Sequence, residues 1–121
     1  MFDKSGEIKY NFASMKSHSI TEQRPHTILK TARITTLDEV FKDRQYLPTF
    51  IKLDIEGAEY QCLEGGKNII AKNKPKLAIC AYHKPDDYIT LPQKILEINP
   101  EYKLYMRHFI ANNLDSIIFA I

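Results

Sequence analysis

A chain of 121 residues, 44% of them hydrophobic, is long enough to bury one core but below the size usual for a complete cofactor-dependent enzyme. Its 17 basic and 15 acidic residues are mixed along the chain and leave a formal charge of +2, so there is no electrostatic argument for a nucleic-acid or membrane partner. Asp3, Lys4, Glu7 and Lys9 exclude the apolar core of a signal peptide, no later run reaches membrane-spanning length, and a cytoplasmic location is the default expectation.

Glu7 to Phe12 alternates, with Ile8, Tyr10 and Phe12 on one side, and predicts a short strand after the turn at Ser5 and Gly6. Ala13 to His26, rich in Ser, Thr, His and charge, reads as a loop carrying solvated His18 and His26. Thr27 to Ile34 is a second extended segment. Thr36 stands three residues before Glu39, the spacing of a capping box, and predicts a helix through about Arg44, with Pro48 separating it from the apolar run that begins at Phe50.

Phe50 to Ile55 is mostly apolar on both faces and ends at Gly57, the pattern of an inner strand of a parallel sheet. From Ala58 the apolar spacing becomes helical, with Cys62, Leu63, Ile69 and Ile70 in one stripe that Gly65 and Gly66 shorten or bend. Asn73 and Pro75 stop this helix, and Lys76 to Tyr82 comes next as a second apolar strand. A strand, crossover helix, strand unit places its strands parallel with both carboxyl ends on one edge, where ligands bind in open α/β sheets. If the two strands are neighbours at about 4.8 Å, Asp54, Glu56 and His83 come together there.

Lys84 to Asp87 has the composition of a turn, and a helix from about Leu91 to Ile98 accepts Pro92 in its first turn. Tyr102 to Phe109 and Asp115 to Ile121, separated by Ala111 to Leu114, predict a closing antiparallel strand pair. Cys62 and Cys80 have neither a CxxC partner nor a histidine at zinc-finger spacing, and read as reduced, buried thiols.

The segment FIKLDIEGAE from Phe50 to Glu59, preceded by TLDEV from Thr36 to Val40, resembles the paired signature of FkbM-family methyltransferases. In that family a TLDE-type segment leads to an IKxDxEGxE strand, turn and helix. Leu63 to Gly66, Lys74 with Pro75, Tyr82 to Asp87, Pro100 to Tyr102, and Arg107 with His108 stand in the order and approximate spacing of the family's carboxyl-terminal half. Asp3 to Glu7 and Ser17 to Glu22 are similar to its middle segment, so the resemblance covers nearly the whole chain. It implies an α/β fold: a partial Rossmann-like methyltransferase sheet, about strands four to seven of the usual seven, with crossover helices and a terminal antiparallel pair. It also implies S-adenosylmethionine as methyl donor and a sugar or natural-product hydroxyl as acceptor.

The chain departs from such enzymes in having no strand followed by a GxG-type loop and no second strand ending in an acid for the ribose. Its glycines are Gly6, Gly57, Gly65 and Gly66. The expectation is therefore a single, N-terminally incomplete domain over 1–121, less regular over 1–35 and with its core over 36–121, that binds S-adenosylmethionine weakly or not at all.

Because the donor carries its own activated methyl, the protein must align the acceptor hydroxyl and take its proton. His83 is the candidate base, because imidazole is the side chain suited to proton transfer near neutral pH and this one directly follows a predicted strand at the ligand edge; the alternative is a histidine that holds the turn at Pro85 and Asp86. Asp54 and Glu56 suit a divalent cation, an acceptor or support of the base. Alternatively one of them meets the helix N-terminus near Gly57, or Asp54 pairs with Lys52. Glu59 is a further carboxylate of the same segment. Arg107 and His108 either meet an anionic or sugar substrate or cap the neighbouring loop. Two other classes stay open: an interaction module or homo-oligomer using an exposed sheet edge, and a metal-assisted hydrolase using Asp54, Glu56 and His83.

Overall fold

The structure is a computed structural model in which residues 4–12, 28–109 and 116–121 are described. The loop expected over 13–26 and the turn expected over 111–114 lie outside these residues. The first alternating segment forms β1 (Gly6–Phe12), paired antiparallel with β2 (Ile28–Ile34) in a two-stranded sheet of its own. In α1 (Leu37–Phe41), Thr36 Oγ1 accepts from the Glu39 N–H at 3.0 Å, as the capping-box spacing predicts. The helix stops at Phe41 rather than near Arg44. Residues 42–47 are exposed and give a longer helix no face to bury.

The central unit consists of β3 (Phe50–Leu53), α2 (Glu59–Glu64), α3 (Lys67–Asn73) and β4 (Lys76–Cys80), with β3 and β4 parallel from Phe50 opposite Lys76 to Leu53 opposite Ile79. Of the two strands expected to be buried on both faces, only β4 is, from Leu77 to Cys80. β3 alternates, with Ile51 and Leu53 buried but Phe50 and Lys52 exposed, so only one of its faces is covered among the described residues.

The single helix expected after Ala58 is divided in two at Gly65 and Gly66. A Cβ on Gly66 would meet Leu37 Cδ1 at 2.7 Å and Leu37 Cβ at 3.0 Å, so the side chain of α1 fills the joint between α2 and α3. Asp38 then supplies the cap that Gly66 lacks: its carboxylate accepts from the Asn68 N–H at 3.2 Å, the Asn68 side-chain amide at 2.8 Å and the Ile69 N–H at 2.9 Å. The segment that begins α1 thus also starts a helix about thirty residues later in the chain. Gly66→Ala is expected to cost about 1–2 kcal/mol by overpacking this joint. Urea unfolding measures the loss, and an unchanged midpoint would show that Leu37 can withdraw.

α4 (Asp87–Ile98) begins four residues before the expected Leu91, and Pro92 lies in its interior rather than in its first turn. The earlier start is fixed by Thr90, whose N–H and hydroxyl both reach the Asp86 carbonyl, at 2.9 and 3.0 Å. Fully buried Leu91 and Ile95 hold the helix to the sheet across the missing proline N–H. Facing α2, Lys94 Nζ lies 2.5 Å from Glu64 Oε2, 3.2 Å from Glu97 Oε1 and 5.2 Å over the Tyr60 ring.

The closing strands, β5 (Leu104–His108) and β6 (Ser116–Ala120), are antiparallel as predicted, but β6 is inserted between β4 and β5, giving the order β3-β4-β6-β5. β6 is antiparallel to both neighbours, so β3, β4 and β5 run parallel and their carboxyl ends share one edge with the start of β6. The core is centred on Leu63, Ile70, Ile79, Leu91, Ile95 and Ile118, each 1% exposed or less. Tyr102 donates to the Pro75 carbonyl at 2.6 Å and anchors the approach to β5. Cys62 and Cys80 are free and buried, and burial pushes both thiols up to about 11. Among the described residues no helix is long and apolar enough to cross a membrane.

Candidate active site

The chain leaves β3 through Asp54 and turns sharply, with Glu56 at φ 55° and Gly57 at φ 91°. Both lie in the left-handed region, which only glycine enters without penalty. A Cβ on Gly57 would meet Lys84 Cε at 3.3 Å and His83 Cβ at 3.6 Å, so this turn lies directly against the segment after β4. Glu59, the first residue of α2, points its carboxylate back across the turn and accepts the Ile55 N–H at 2.9 Å. It is 1% exposed.

His83 lies on this buried carboxylate, with Nδ1 at 3.0 Å from Glu59 Oε1. On the ring's other side, Nε2 is 3.7 Å from Asp54 Oδ1 and 3.8 Å from Glu56 Oε2. The His83 side chain is only 10% exposed, whereas Asp54 and Glu56 are open to solvent. One imidazole nitrogen therefore faces the interior and the other faces the ligand edge. Asp54 also accepts from the Tyr82 hydroxyl at 3.0 Å and contacts Lys52 Nζ at 3.5 Å. Burial pushes the Asp54 carboxyl up, but the Tyr82 hydroxyl and Lys52 outweigh it and hold the group below its usual range. Burial, then the Asp54 carboxylate, pushes the Tyr82 phenol up, so Tyr82 stays a proton donor to Asp54.

The structure thus brings together His83, Asp54 and Glu56, and the pairing of Asp54 with Lys52 is also present. Two structural alternatives are corrected. The carboxylate that closes the strand-to-helix turn is Glu59, not Asp54 or Glu56. The turn at Pro85 and Asp86 is held by Asp87, whose Oδ2 accepts the Lys84 N–H at 2.8 Å, and not by His83. Tyr82 and the central place of Glu59 were not evident from the strand and helix patterns. The signals were an acid in the first turn of α2 and a phenol just beyond the end of β4.

Arg107 and His108 are not part of this cluster. They lie on β5, with β6 between them and β4; Arg107 is exposed, and His108 Nδ1 is 2.6 Å from the Ser116 hydroxyl, which also meets the Tyr88 hydroxyl at 3.0 Å. Among the described residues no group of three or more His, Cys, Asp and Glu side chains is arranged to hold a metal ion. The divalent cation considered as one role for Asp54 and Glu56 finds no such group among the described residues. A methyl donor's phosphate-free nucleoside needs open backbone at a strand-to-helix turn. Gly57 is backed by His83 and Lys84, Gly66 by Leu37, and Gly6 opens a strand of the separate antiparallel sheet. None of these three glycines offers open backbone at a strand-to-helix turn.

A family model described as Methyltransferase FkbM domain matches residues 3–113. The chain is similar to the crystal structure of Methyltransferase FkbM from Methylobacillus flagellatus KT, with 36% sequence identity and a TM-score of 0.68. That similarity covers 75% of this chain and 24% of the other, so the chain spans about a quarter of the length of the protein it matches. No match was found among curated proteins. With a mixed α/β sheet, the IKxDxEGxE turn and the family match all in agreement, the chain belongs to the FkbM methyltransferase domain family.

Proposed function

We propose that this chain supplies the acceptor side of an S-adenosylmethionine-dependent O-methyltransferase acting on a sugar or natural-product hydroxyl. The observation that carries the reading is His83, held with one nitrogen against buried Glu59 and the other toward the open edge at Asp54 and Glu56. The donor, when bound, supplies a methyl group already activated for transfer. The chain itself has to place a hydroxyl and receive its proton. Separations of 3.7 and 3.8 Å from Nε2 to the two carboxylates are too long for hydrogen bonds, which leaves Nε2 to accept the proton of an incoming hydroxyl. Asp54, ionised and fixed by Tyr82, accepts a hydrogen bond from a neighbouring hydroxyl of the same acceptor. A polyhydroxylated molecule offers both groups at once.

Two titrations of the chain test this reading. Methyl glycosides and hydroxylated natural products, added at millimolar concentration, should shift the amide resonances of Asp54, Glu56 and His83; shifts confined to other surfaces would sink the assignment. Isothermal titration with S-adenosylmethionine should show no micromolar binding. A micromolar constant would put the donor site on this chain and overturn the one-sided reading.

A further inference from the structure

The geometry points to Glu59 as the positioning residue that fixes the tautomer of His83, holding the proton on Nδ1 so that the Nε2 lone pair faces the ligand edge. The starting observation is a pair of buried polar atoms. His83 Nδ1 and Glu59 Oε2 are both sealed from solvent, and neither makes a hydrogen bond among the described residues. Yet they belong to side chains in contact, with Nδ1 only 3.0 Å from the other oxygen of the same carboxylate. At that distance the ring N–H fails only in its aim, and a small rotation about the side-chain bonds directs it onto the carboxylate. Leaving both groups unpaired costs free energy at each of them, so the native ensemble is drawn toward arrangements in which the ring N–H meets the Glu59 carboxylate.

The surroundings select which nitrogen carries the proton. Glu59 Oε1 is already engaged by the Ile55 N–H, which fixes the carboxylate in place at the turn. A neutral imidazole has one N–H and one lone pair. Directed at a buried carboxylate, the lone pair of Nδ1 would face negative charge with no donor between them, whereas an N–H there makes a charge-assisted bond. Nε2 then carries the lone pair. The other carboxylates near the ring, Asp54 and Glu56, approach Nε2 from the exposed side and do not compete for Nδ1. Carboxylates that orient a catalytic imidazole from behind are a general device for making it a base, but here the assignment rests on the two orphaned atoms.

The catalytic meaning of this tautomer rests on the proposed acceptor-side role; the tautomer itself does not. It is measured directly by long-range proton–nitrogen NMR of the nitrogen-15-labelled chain, at a pH where the imidazole is neutral. His83 should be in the Nδ1–H form by about tenfold over the alternative, as a hydrogen bond to a charged group provides. In Glu59→Gln, whose amide oxygen can still accept, the same form should persist. In Glu59→Ala the ratio should invert toward Nε2–H, the form an isolated imidazole prefers. A wild-type spectrum dominated by Nε2–H overturns the proposal, as does a folded Glu59→Ala protein with an unchanged ratio. If Glu59→Ala does not fold, the wild-type and Glu59→Gln spectra decide. Failure of acceptor binding with the Nδ1–H form intact would count against the acceptor-side role and leave the role of Glu59 standing.

Discussion

Glu64→Gln lowers stability by about 2–3 kcal/mol, whereas Lys94→Met is close to neutral; the asymmetry arises from which partner is sealed in. Lys94 is 5% exposed, in contact with Glu64 from α2 and with Glu97 from its own helix. Removing the Glu64 charge leaves a buried ammonium whose remaining charged partner among the described residues is the largely exposed Glu97, beside the Tyr60 ring. Exposed pairs are worth about 0–1 kcal/mol and the breaking of fully buried ones about 3–5. This pair falls between them because Glu64 itself is partly open to solvent. Removing the ammonium leaves a carboxylate that solvent and Lys67 can still serve. Urea unfolding of the two variants side by side measures the difference, and equal losses would show that Lys94 is not the sealed partner.

The same carboxylate shapes the acid limb of stability. Hydrogen bonds from Lys67 first and Lys94 second hold the Glu64 carboxyl down at about 2, against an ordinary 4.5. A folded-state value below the unfolded one means a contribution that is complete above about 4.5 and is lost as pH falls toward about 2. Thermal melts between those limits should therefore fall more steeply for the native chain than for Glu64→Gln. Parallel acid limbs would show that other carboxylates control the transition.

Gly57→Val is expected to cost about 3 kcal/mol and to disturb the site as well as the fold. At φ 91° a β-branched side chain is strained whatever the space, by about 1–3 kcal/mol. The added Cβ would also press on Lys84 Cε and approach His83 Cβ. Chemical denaturation gives the stability loss, and the displacement of His83 should appear as a large shift of its ring resonances. Gly57→Val with native stability would mean that the turn can relax into another conformation. Native stability with shifted His83 resonances would locate the effect in the segment after β4.

The parallel β3 and β4 unit and its ligand edge were readable because apolar runs, a glycine turn and a helical stripe are local signals. From that unit alone Asp54, Glu56 and His83 could be placed together. The features that escaped the sequence depended on contacts from distant parts of the chain. Gly66 reads locally as a helix weakener, but its role is set by Leu37, which occupies the space where a side chain would stand. Asp38 lies between the Thr36 and Glu39 of the capping-box spacing and carries no local signal of its own, but its oxygens serve α3. The Pro92 rule placed the start of α4 too late because burial of Leu91 and Ile95 overrides the lost hydrogen bond. Glu59 was legible as an acid in a first helical turn; that its carboxylate would meet His83 required knowing how tightly the turn at Gly57 folds back.

The insertion of β6 between β4 and β5 gives synthesis of this protein a definite order. Ile117 to Ala120 pairs with both β4 and β5, so the sheet has a gap at its centre until this segment is available. During translation, β3, α2, α3 and β4 can form a parallel pair with its helices, but β5 has no strand to join and the inner edge of β4 is open. The core closes only after residues 116–120 have left the ribosome exit tunnel. A ribosome stalled before that point should hold a protease-sensitive chain, and the final residues of β6 should convert it to a resistant one in a single step.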